Sequence, residues 1–389
     1  MIIVTDDADR ENEGDLIVAA ELATTAQLAF MVRHTTGIIC APMPAARADA
    51  LGLQPMVVQN TDAHATAFTV SVDLAGTGTG VSAAARASTI RALADPLLRA
   101  DELRRPGHVF PLRARSGGVL VRPGHTEAAV DLLTMAGCSG VGALSEIVAS
   151  DGSMLRGAEL ARFAAVHDLA TLTIADLIRH RRSTERLVER IASAAMPTTV
   201  AEFRAVAYRD TLEGTEHLAL VLGDVAAASD RGALVRVHSE CLTGDVLSSL
   251  RCDCGVQLQR ALQAVAAEGC GVVVYLRGHE GRGIGLAGKI RAYALQQQGL
   301  DTVDANLVQG LPVDSRCYSS AAQILADLGV RRARLITNNP AKSAALAEHG
   351  IEVVEQVDVP TELNPYNIRY LQTKRDRLGH TAQTTRAHR

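Results

Sequence analysis

Residues 271–278, GVVVYLRG, form an apolar run that ends in a glycine turn. Just before it, VQLQRALQAVAAEG (256–269) places Leu258, Leu262, Val265 and Ala266 on one helical face. A strand this apolar has no face to offer to water, so it must be buried, and a helix with one apolar face can cover it. Aromatic residues make up only 3% of the chain against 47% hydrophobic, so Ala, Val, Leu and Ile must fill the interior. A length of 389 residues exceeds one ordinary core and suits two domains. The expected fold is α/β with mixed sheets, in two tandem domains that each have a layered sheet-and-helix core.

The boundary is expected near residue 183, giving domains 1–183 and 184–389. The first half offers strands at residues 2–5, at TGIICAPM and at TAFTVSVDL, the last with the period-2 alternation of a half-buried strand. HTEAAVDLLTMAG reads as a helix stopped by Gly137, and ELARFAAVHDLATLTIADLIRHRR as helix, short strand, helix. The first part of STERLVERIASAAMPTTVAEF is charged and expected to be helical, with Pro197 ending it. EFRAVAYRD and HLALVLGDV open the second half as strands, and the polar tail after Gly379 is expected to be loose. No internal repeat relates the halves.

A net charge of -4 leaves no footprint for nonspecific nucleic-acid binding, so anionic ligands must be held by local basic clusters. No apolar run approaches the roughly 20 residues of a membrane span. The opening MIIVTDDADRENEGDL turns acidic too early for a secretory signal. Seven cysteines, scattered except for 241, 252 and 254, point to a reducing, cytoplasmic setting with thiols used as ligands.

Those three cysteines lie in SECLTGDVLSSLRCDCG (239–255). Zinc favours thiolates and four-coordination; a catalytic site keeps one position for water, whose pKa then drops to about 7. Three clustered cysteines therefore suit an open zinc site. Two alternatives stand beside it: a closed structural site with Cys270 or Cys317 as fourth ligand, and three free thiols without metal. RGHEGRGIGL (277–286) sets four glycines around Arg277, Glu280 and Arg282, a loop that can bring backbone N–H groups to a phosphate. GIGLAGKI approaches a Walker A loop, but Ile290 occupies the Ser/Thr position, which excludes that reading. TNNPAK (337–342) adds a lysine within reach of a phosphate. Activated water beside a polyphosphate cradle describes a nucleotide hydrolase.

Residues 184–379 resemble GTP cyclohydrolase II, through RVHSECLTGD, RCDCG, RGHEGRGIGL, DTVDAN, DSRCYSSAAQIL, TNNPAK and NIRYLQTKRDRLGH. The resemblance implies one zinc per chain on Cys241, Cys252 and Cys254. It implies GTP contacts from Arg236, Val237, His238, Ser239, Glu240, Gln257, Glu280, Gly281, Arg282, Thr302, Thr337 and Lys342. Zinc-activated water would attack C8 of guanine, the carbon would leave as formate, and pyrophosphate would be lost separately. Asp314 would accept a proton and Arg316 would attack the α-phosphorus; a guanidinium protonated far above pH 7 can alternatively stabilise the transferring phosphoryl group. Tyr293 would assist at the water, or else be a packed helix residue. Ser320 stands near a usual glycine, which is expected to shift a helix start.

In the first half, DDADRENEGD follows a strand, where α/β proteins place ligands, and its carboxylates suit Mg²⁺ or Mn²⁺. Taken alone, it also reads as a solvated acidic loop. RPGHVFPL (105–112) and VRPGHTEAAVDL (121–132) each set a histidine after Pro-Gly, and the second opens a helix, a good anion site. Together with TAFTVSVD, these stretches resemble 3,4-dihydroxy-2-butanone 4-phosphate synthase over residues 1–183. The resemblance implies Mg²⁺ or Mn²⁺ on Glu11 and His125. Ribulose 5-phosphate would be held by Arg10, Glu11, Asp15, Arg122, Pro123, Gly124, His125, Thr126 and Glu146, with His108 and Glu146 as acid–base groups. The pattern is broken by Ala85 for an Asp, Ser145 for a Cys and Ala65 for a Gly. The family also begins well upstream of this first strand, so a late start codon or a trimmed domain is expected.

The combined expectation is a cytoplasmic, homodimeric, bifunctional enzyme of riboflavin biosynthesis, acting on GTP and ribulose 5-phosphate without nucleic-acid or membrane partners. The alternatives are a GTP cyclohydrolase II with a catalytically weak first domain, and a zinc-containing guanine-nucleotide binding module without turnover.

Overall fold

The computed structural model describes residues 1–229, 231–379, 381 and 384–386. Most of the polar tail after Gly379 lies outside them. The chain divides into two compact units, Met1–Arg181 and Arg182–Arg389.

The first unit is built on strands β1 (Ile2–Thr5), β2 (Gly14–Ala19), β3 (Cys40–Met43), β4 (Val72–Leu74), β5 (Leu103–Arg113), β6 (Gly142–Glu146) and β7 (Thr171–Thr173). They lie in the order β4-β5-β3-β6-β2-β1-β7. The sheet is mixed: β1 pairs antiparallel with β2 and parallel with β7. Alternate residues point to opposite faces, and both faces are buried. Ile3, Leu16 and Val18 join one apolar cluster, while Val4 and Ile17 join another with Leu144 and Ala128. The acidic stretch is the turn of the β1–β2 hairpin. The β2 run GDLIVA, apolar on both faces, was not anticipated from sequence. TAFTVSVDL forms only the short β4, with isolated bridges at Phe68 and Thr69.

The second unit holds β8 (Val188–Pro197), β9 (Glu202–Asp210), β10 (Glu216–Leu222), β11 (Ala233–Ser239), β12 (Gly271–Leu276), β13 (Arg332–Ile336) and β14 (Glu352–Val357). Their order is β14-β13-β11-β12-β10-β9-β8. β12, β11, β13 and β14 run parallel, and β10, β9 and β8 continue antiparallel. Here too both faces are covered: Val235, Val272 and Val274 go one way, Leu234 and Val273 the other. The helix Cys254–Glu268 ends at Gly269 in the left-handed region, φ 73°.

The helix expected over the charged stretch after residue 183 is corrected. Val188–Pro197 is an edge strand paired along its length with β9, from Val188↔Asp210 to Pro197↔Glu202. An edge strand exposes much of its surface, so it needs no apolar alternation, and charges such as Glu189 and Arg190 discourage further pairing. Pro197, at its end, costs the ladder little.

Candidate active sites

The second unit's site forms where its parallel strands end. β11 runs into Ser239-Glu240-Cys241, β12 into the glycine loop, and β13 into Thr337-Asn338-Asn339. Adjacent parallel strands deliver these three loops to one edge, the usual ligand position in such sheets. They line one cleft.

Cys241, Cys252 and Cys254 meet there with their Sγ atoms within 4.8 Å of one another. Cys241 and Cys252 are 3.7 Å apart; a tetrahedral ion with Zn–S bonds of about 2.3 Å needs about 3.8 Å. The trio therefore fits zinc, and neither Cys270 nor Cys317 belongs to it among the described residues. Hydrogen bonds from the other two thiols, then Lys289 at 3.0 Å, pull the Cys241 thiol far below its ordinary pKa. Gly244 packs over the group: a Cβ there would lie 2.9 Å from the Cys252 sulfur. Lys289 also pairs with Glu280 at 2.6 Å, and the other Glu280 oxygen accepts the Leu242 N–H, so the glycine loop is tied to the cysteine loop.

The expected GTP residues mostly converge on this cleft. Arg236, His238, Ser239, Glu240 and Gln257 line one side, and Glu280, Gly281, Arg282, Thr302, Thr337 and Lys342 complete it. Val237 does not: its side chain lies in the core, and its carbonyl accepts from Lys342 Nζ at 2.8 Å. Arg316 lines the cleft and is held by Asp314 at 2.5 Å, with the Ser239 hydroxyl 3.5 Å away. Burial opposes the charge on Arg316, but Asp314 overrides it and raises the pKa further, so the guanidinium stays protonated. Lys342 is driven the other way, by burial and then by Arg236 and Arg316. A bound polyanion would favour its charged form. Tyr293 OH lies 3.3 Å from Thr243 Oγ1, and Arg251 stacks over its ring at 4.8 Å. The helix at Ser320 begins at Ser319, and the Ser320 hydroxyl donates to Asp210.

Sequence reasoning missed His279, Lys289, Tyr370 and Lys374 in this cleft. Lys374 Nζ binds Asp253 at 3.0 Å; Asp253 accepts from Gln257, which accepts from Arg236. Tyr370 and Lys374 sit in NIRYLQTKRDRLGH, on the helix Ile368–Leu378.

In the first unit, Asp6, Glu11 and His125 place ligand atoms within 4.8 Å of one another. Asp6 commits both oxygens to the loop, accepting from Arg10, Glu11 N and Glu13 N at 2.9 Å. Glu11 and His125 are the freer pair, 3.5 Å apart. Asp15 Oδ1 and His125 Nε2 are buried without hydrogen-bond partners, 3.9 Å from each other. Orphaned buried atoms of this kind are costly unless a ligand completes them, and the carboxylate–imidazole set fits Mg²⁺ or Mn²⁺. Burial raises the Asp15 carboxyl to about 7. Burial works against the charged form of His125, but Asp15 and then Glu11 raise it to about 9. The His125 hydrogen bond, together with Arg10, lowers Glu11 to about 2.

The remaining groups lie on neighbouring elements of the first unit. Thr126 lies buried in the first turn of helix His125–Met135, after Gly124. A Cβ on Gly124 would meet Arg122 Nη1 at 2.2 Å, so glycine lets that guanidinium reach Glu127 at 2.6 Å. Pro123 is exposed. Glu146 ends β6, opposite Asp15 of β2, and accepts from Thr36 Oγ1 at 2.7 Å. His108 lies on β5 and pairs with Asp73, a partner the sequence did not reveal. At the departures from the family pattern, Ala85 is buried in a helix while Arg86 donates to Val81 O and Gly37 O. Ser145 Oγ donates to Thr35 Oγ1 at 2.8 Å, and Ala65 holds φ 52°.

The 3,4-dihydroxy-2-butanone 4-phosphate synthase family matches residues 1–180, and the GTP cyclohydrolase II family matches residues 189–358. The chain is 59% identical over 380 residues to the riboflavin biosynthesis protein RibBA of Salinispora arenicola (strain CNS-205), covering 97% of this chain and 90% of that protein. It is equally identical, over 384 residues, to RibBA of Mycobacterium tuberculosis (strain ATCC 25618 / H37Rv), again covering 97% and 90%. The crystal structure of RibBX, a two-domain 3,4-dihydroxy-2-butanone 4-phosphate synthase from A. baumannii, is similar, with a TM-score of 0.69 and 33% identity over 92% of this chain and 95% of that one.

Proposed function

Because this chain belongs to the RibBA family of riboflavin biosynthesis proteins, we propose how its two sites divide the family's chemistry between residues 1–183 and 184–389. The protein is bifunctional: a 3,4-dihydroxy-2-butanone 4-phosphate synthase, which is a lyase, and a GTP cyclohydrolase II, which is a hydrolase.

In the second site, Cys241, Cys252 and Cys254 hold zinc. The observation that carries this reading is the three clustered sulfurs, two of them at tetrahedral spacing, in the lining of a cleft rich in cationic side chains. Zinc, when bound, supplies Lewis acidity that makes water a nucleophile near neutral pH. Arg282, Arg316 and Lys342 bind and neutralise the triphosphate. Arg316, kept protonated by Asp314, stabilises charge on the transferring phosphoryl group rather than attacking phosphorus. Tyr293, half-buried beside Thr243, orients the reacting water.

In the first site, Glu11 and His125 hold Mg²⁺ or Mn²⁺, which stabilises negative charge on adjacent substrate oxygens. Arg10, Arg122 and the helix start at Thr126 hold the sugar phosphate, and Asp15 lines the same site. Glu146 and His108 move protons. Every group named for metal binding and proton transfer is present, which supports an active first domain over a weak one.

The protein acts as a homodimer in the cytoplasm; no described helix is long and apolar enough to cross a membrane. The test supplies GTP or ribulose 5-phosphate in turn and measures formate. Formate from each substrate, with one zinc per chain, is the expected result. Formate from GTP alone would leave the first domain without its activity.

A further inference from the structure

β5 is longer than the strand beside it. Phe110 of β5 pairs with Cys40 of β3, and Cys40 pairs with Leu144 of β6. Two residues along, His108 and Glu146 therefore stand at the same end of the sheet, two strand spacings or about 10 Å apart. β4 covers this overhang with an irregular register: Val72 pairs with Val109, but Asp73 pairs with Arg104. The intervening residues of β5 bulge, and a bulge re-aims side chains.

The bulge brings His108 onto Asp73. Asp73 Oδ1 accepts the His108 backbone N–H at 2.9 Å, and Oδ2 lies 2.7 Å from ring Nδ1. Two neighbouring glycines make room for this contact. A Cβ on Gly107 would fall 2.0 Å from the Val72 carbonyl carbon, and a Cβ on Gly80 would fall 2.0 Å from Asp73 Oδ2. Asp73 is 7% exposed, whereas the His108 side chain is 46% exposed. The carboxylate is thus shielded on one side of the ring while the other nitrogen faces outward.

We propose that Asp73 is a positioning residue for the synthase reaction, holding His108 in the tautomer that leaves Nε2 free to exchange protons with the substrate. The proposal rests on the reading of His108 as an acid–base group. An ionised carboxylate only accepts, so it selects the Nδ1–H form and leaves the Nε2 lone pair bare. Nε2 then takes a proton from a substrate C–H or O–H, and the electron pair of that bond stays on the substrate. The ring becomes an imidazolium beside Asp73 and later returns the proton from Nε2. The Arg-Pro-Gly-His stretch at 105–108, a bulge within β5, is therefore built differently from its echo at 122–125, where the glycine frees an arginine.

The test uses the full chain with its divalent metal. Asp73→Asn should lower kcat for ribulose 5-phosphate by about 100-fold or more, because a wrong tautomer removes the base. KM should stay within about threefold, the melting temperature and GTP turnover should hold, and Asp73→Glu should recover part of the loss. If Asp73→Asn keeps kcat within about threefold while His108→Ala is inactive, the role given to Asp73 is wrong and that of His108 stands. If His108→Ala itself turns over normally, the acid–base reading is wrong. Should Asp73→Asn fold poorly, nitrogen NMR on the unmutated, ¹⁵N-histidine-labelled protein decides, with His108→Gln identifying the signal. A neutral ring protonated at Nδ1 supports the proposal, and one protonated at Nε2 overturns it.

Discussion

On the functions proposed above, the two sites solve one problem, a metal beside a phosphate, on opposite terms. The cyclohydrolase site is a cleft lined by three adjacent loops and by helices that add Lys289, Tyr293, Tyr370 and Lys374, in which Lys342, Arg236 and Glu280 are all buried. The synthase site is an open sheet edge: its proposed metal pair, Glu11 and His125, lies on a hairpin turn and a helix start, and the His108 imidazole is exposed on another strand. The difference follows from strand direction. Parallel strands deposit their following loops at one end, so consecutive motifs converge without further help. In the mixed sheet the same edge collects a hairpin turn, a helix start, the end of β6 and a bulge in β5, and each needs its own fixing contact.

The sharpest way to break the comparison is to remove one site and watch the other. Cys252→Ser should lose zinc and lower GTP ring opening by at least about 10³-fold, with synthase activity intact, while Cys270→Ser should keep both zinc and turnover. Zinc loss on Cys270→Ser would mean a closed structural site. Metal content and formate release give the answer.

Next in size, Glu146→Gln should lower butanone phosphate formation by about 10²-fold or more and leave GTP turnover unchanged. A parallel fall in both activities, in a protein with an unaltered melting temperature, would contradict separate sites.

A smaller effect separates the enclosed site from the open one by pH. Burial, then Arg316 and Lys342, depress His279 to about 3, below its ordinary 6.5. The unfolded chain therefore binds a proton that the folded one refuses between those values. The stability contributed by neutral His279 is present above about 6.5 and is lost as pH falls towards 3. His279→Gln should move the acid-unfolding midpoint of the cyclohydrolase half to lower pH, relative to its own stability at pH 8. An unchanged midpoint would mean the ring carries no such linkage.

The smallest effect tests the looser scaffold of the open site. Ala65 adopts φ 52°, a region that glycine enters more cheaply. Ala65→Gly should stabilise the first domain by roughly 0.5–1 kcal/mol, or about 2 °C in melting temperature. A lower melting temperature would show that the extra freedom of glycine in the unfolded chain outweighs the relieved strain.

Much of this molecule was legible in the residues themselves. The apolar run at 271–276, the helix over 254–268 with its glycine stop, and EFRAVAYRD as a strand follow from period and punctuation, which are local properties. The cysteine trio was legible because the C-x-C spacing leaves the chain little choice about where two sulfurs go. Other features depended on partners distant in sequence. Residues 188–197 are a strand because β9 supplies its ladder, not because of their own composition. Asp73 found His108 only through a bulge between β4 and β5, 35 positions apart. Lys374 found Asp253 across 121 positions, because the last helix of the domain returns to the cysteine loop. Local sequence determined the elements and the chemical types at each site. Which carboxylate holds which ring, and which lysine braces which loop, depended on contacts that exist only once the sheets have formed.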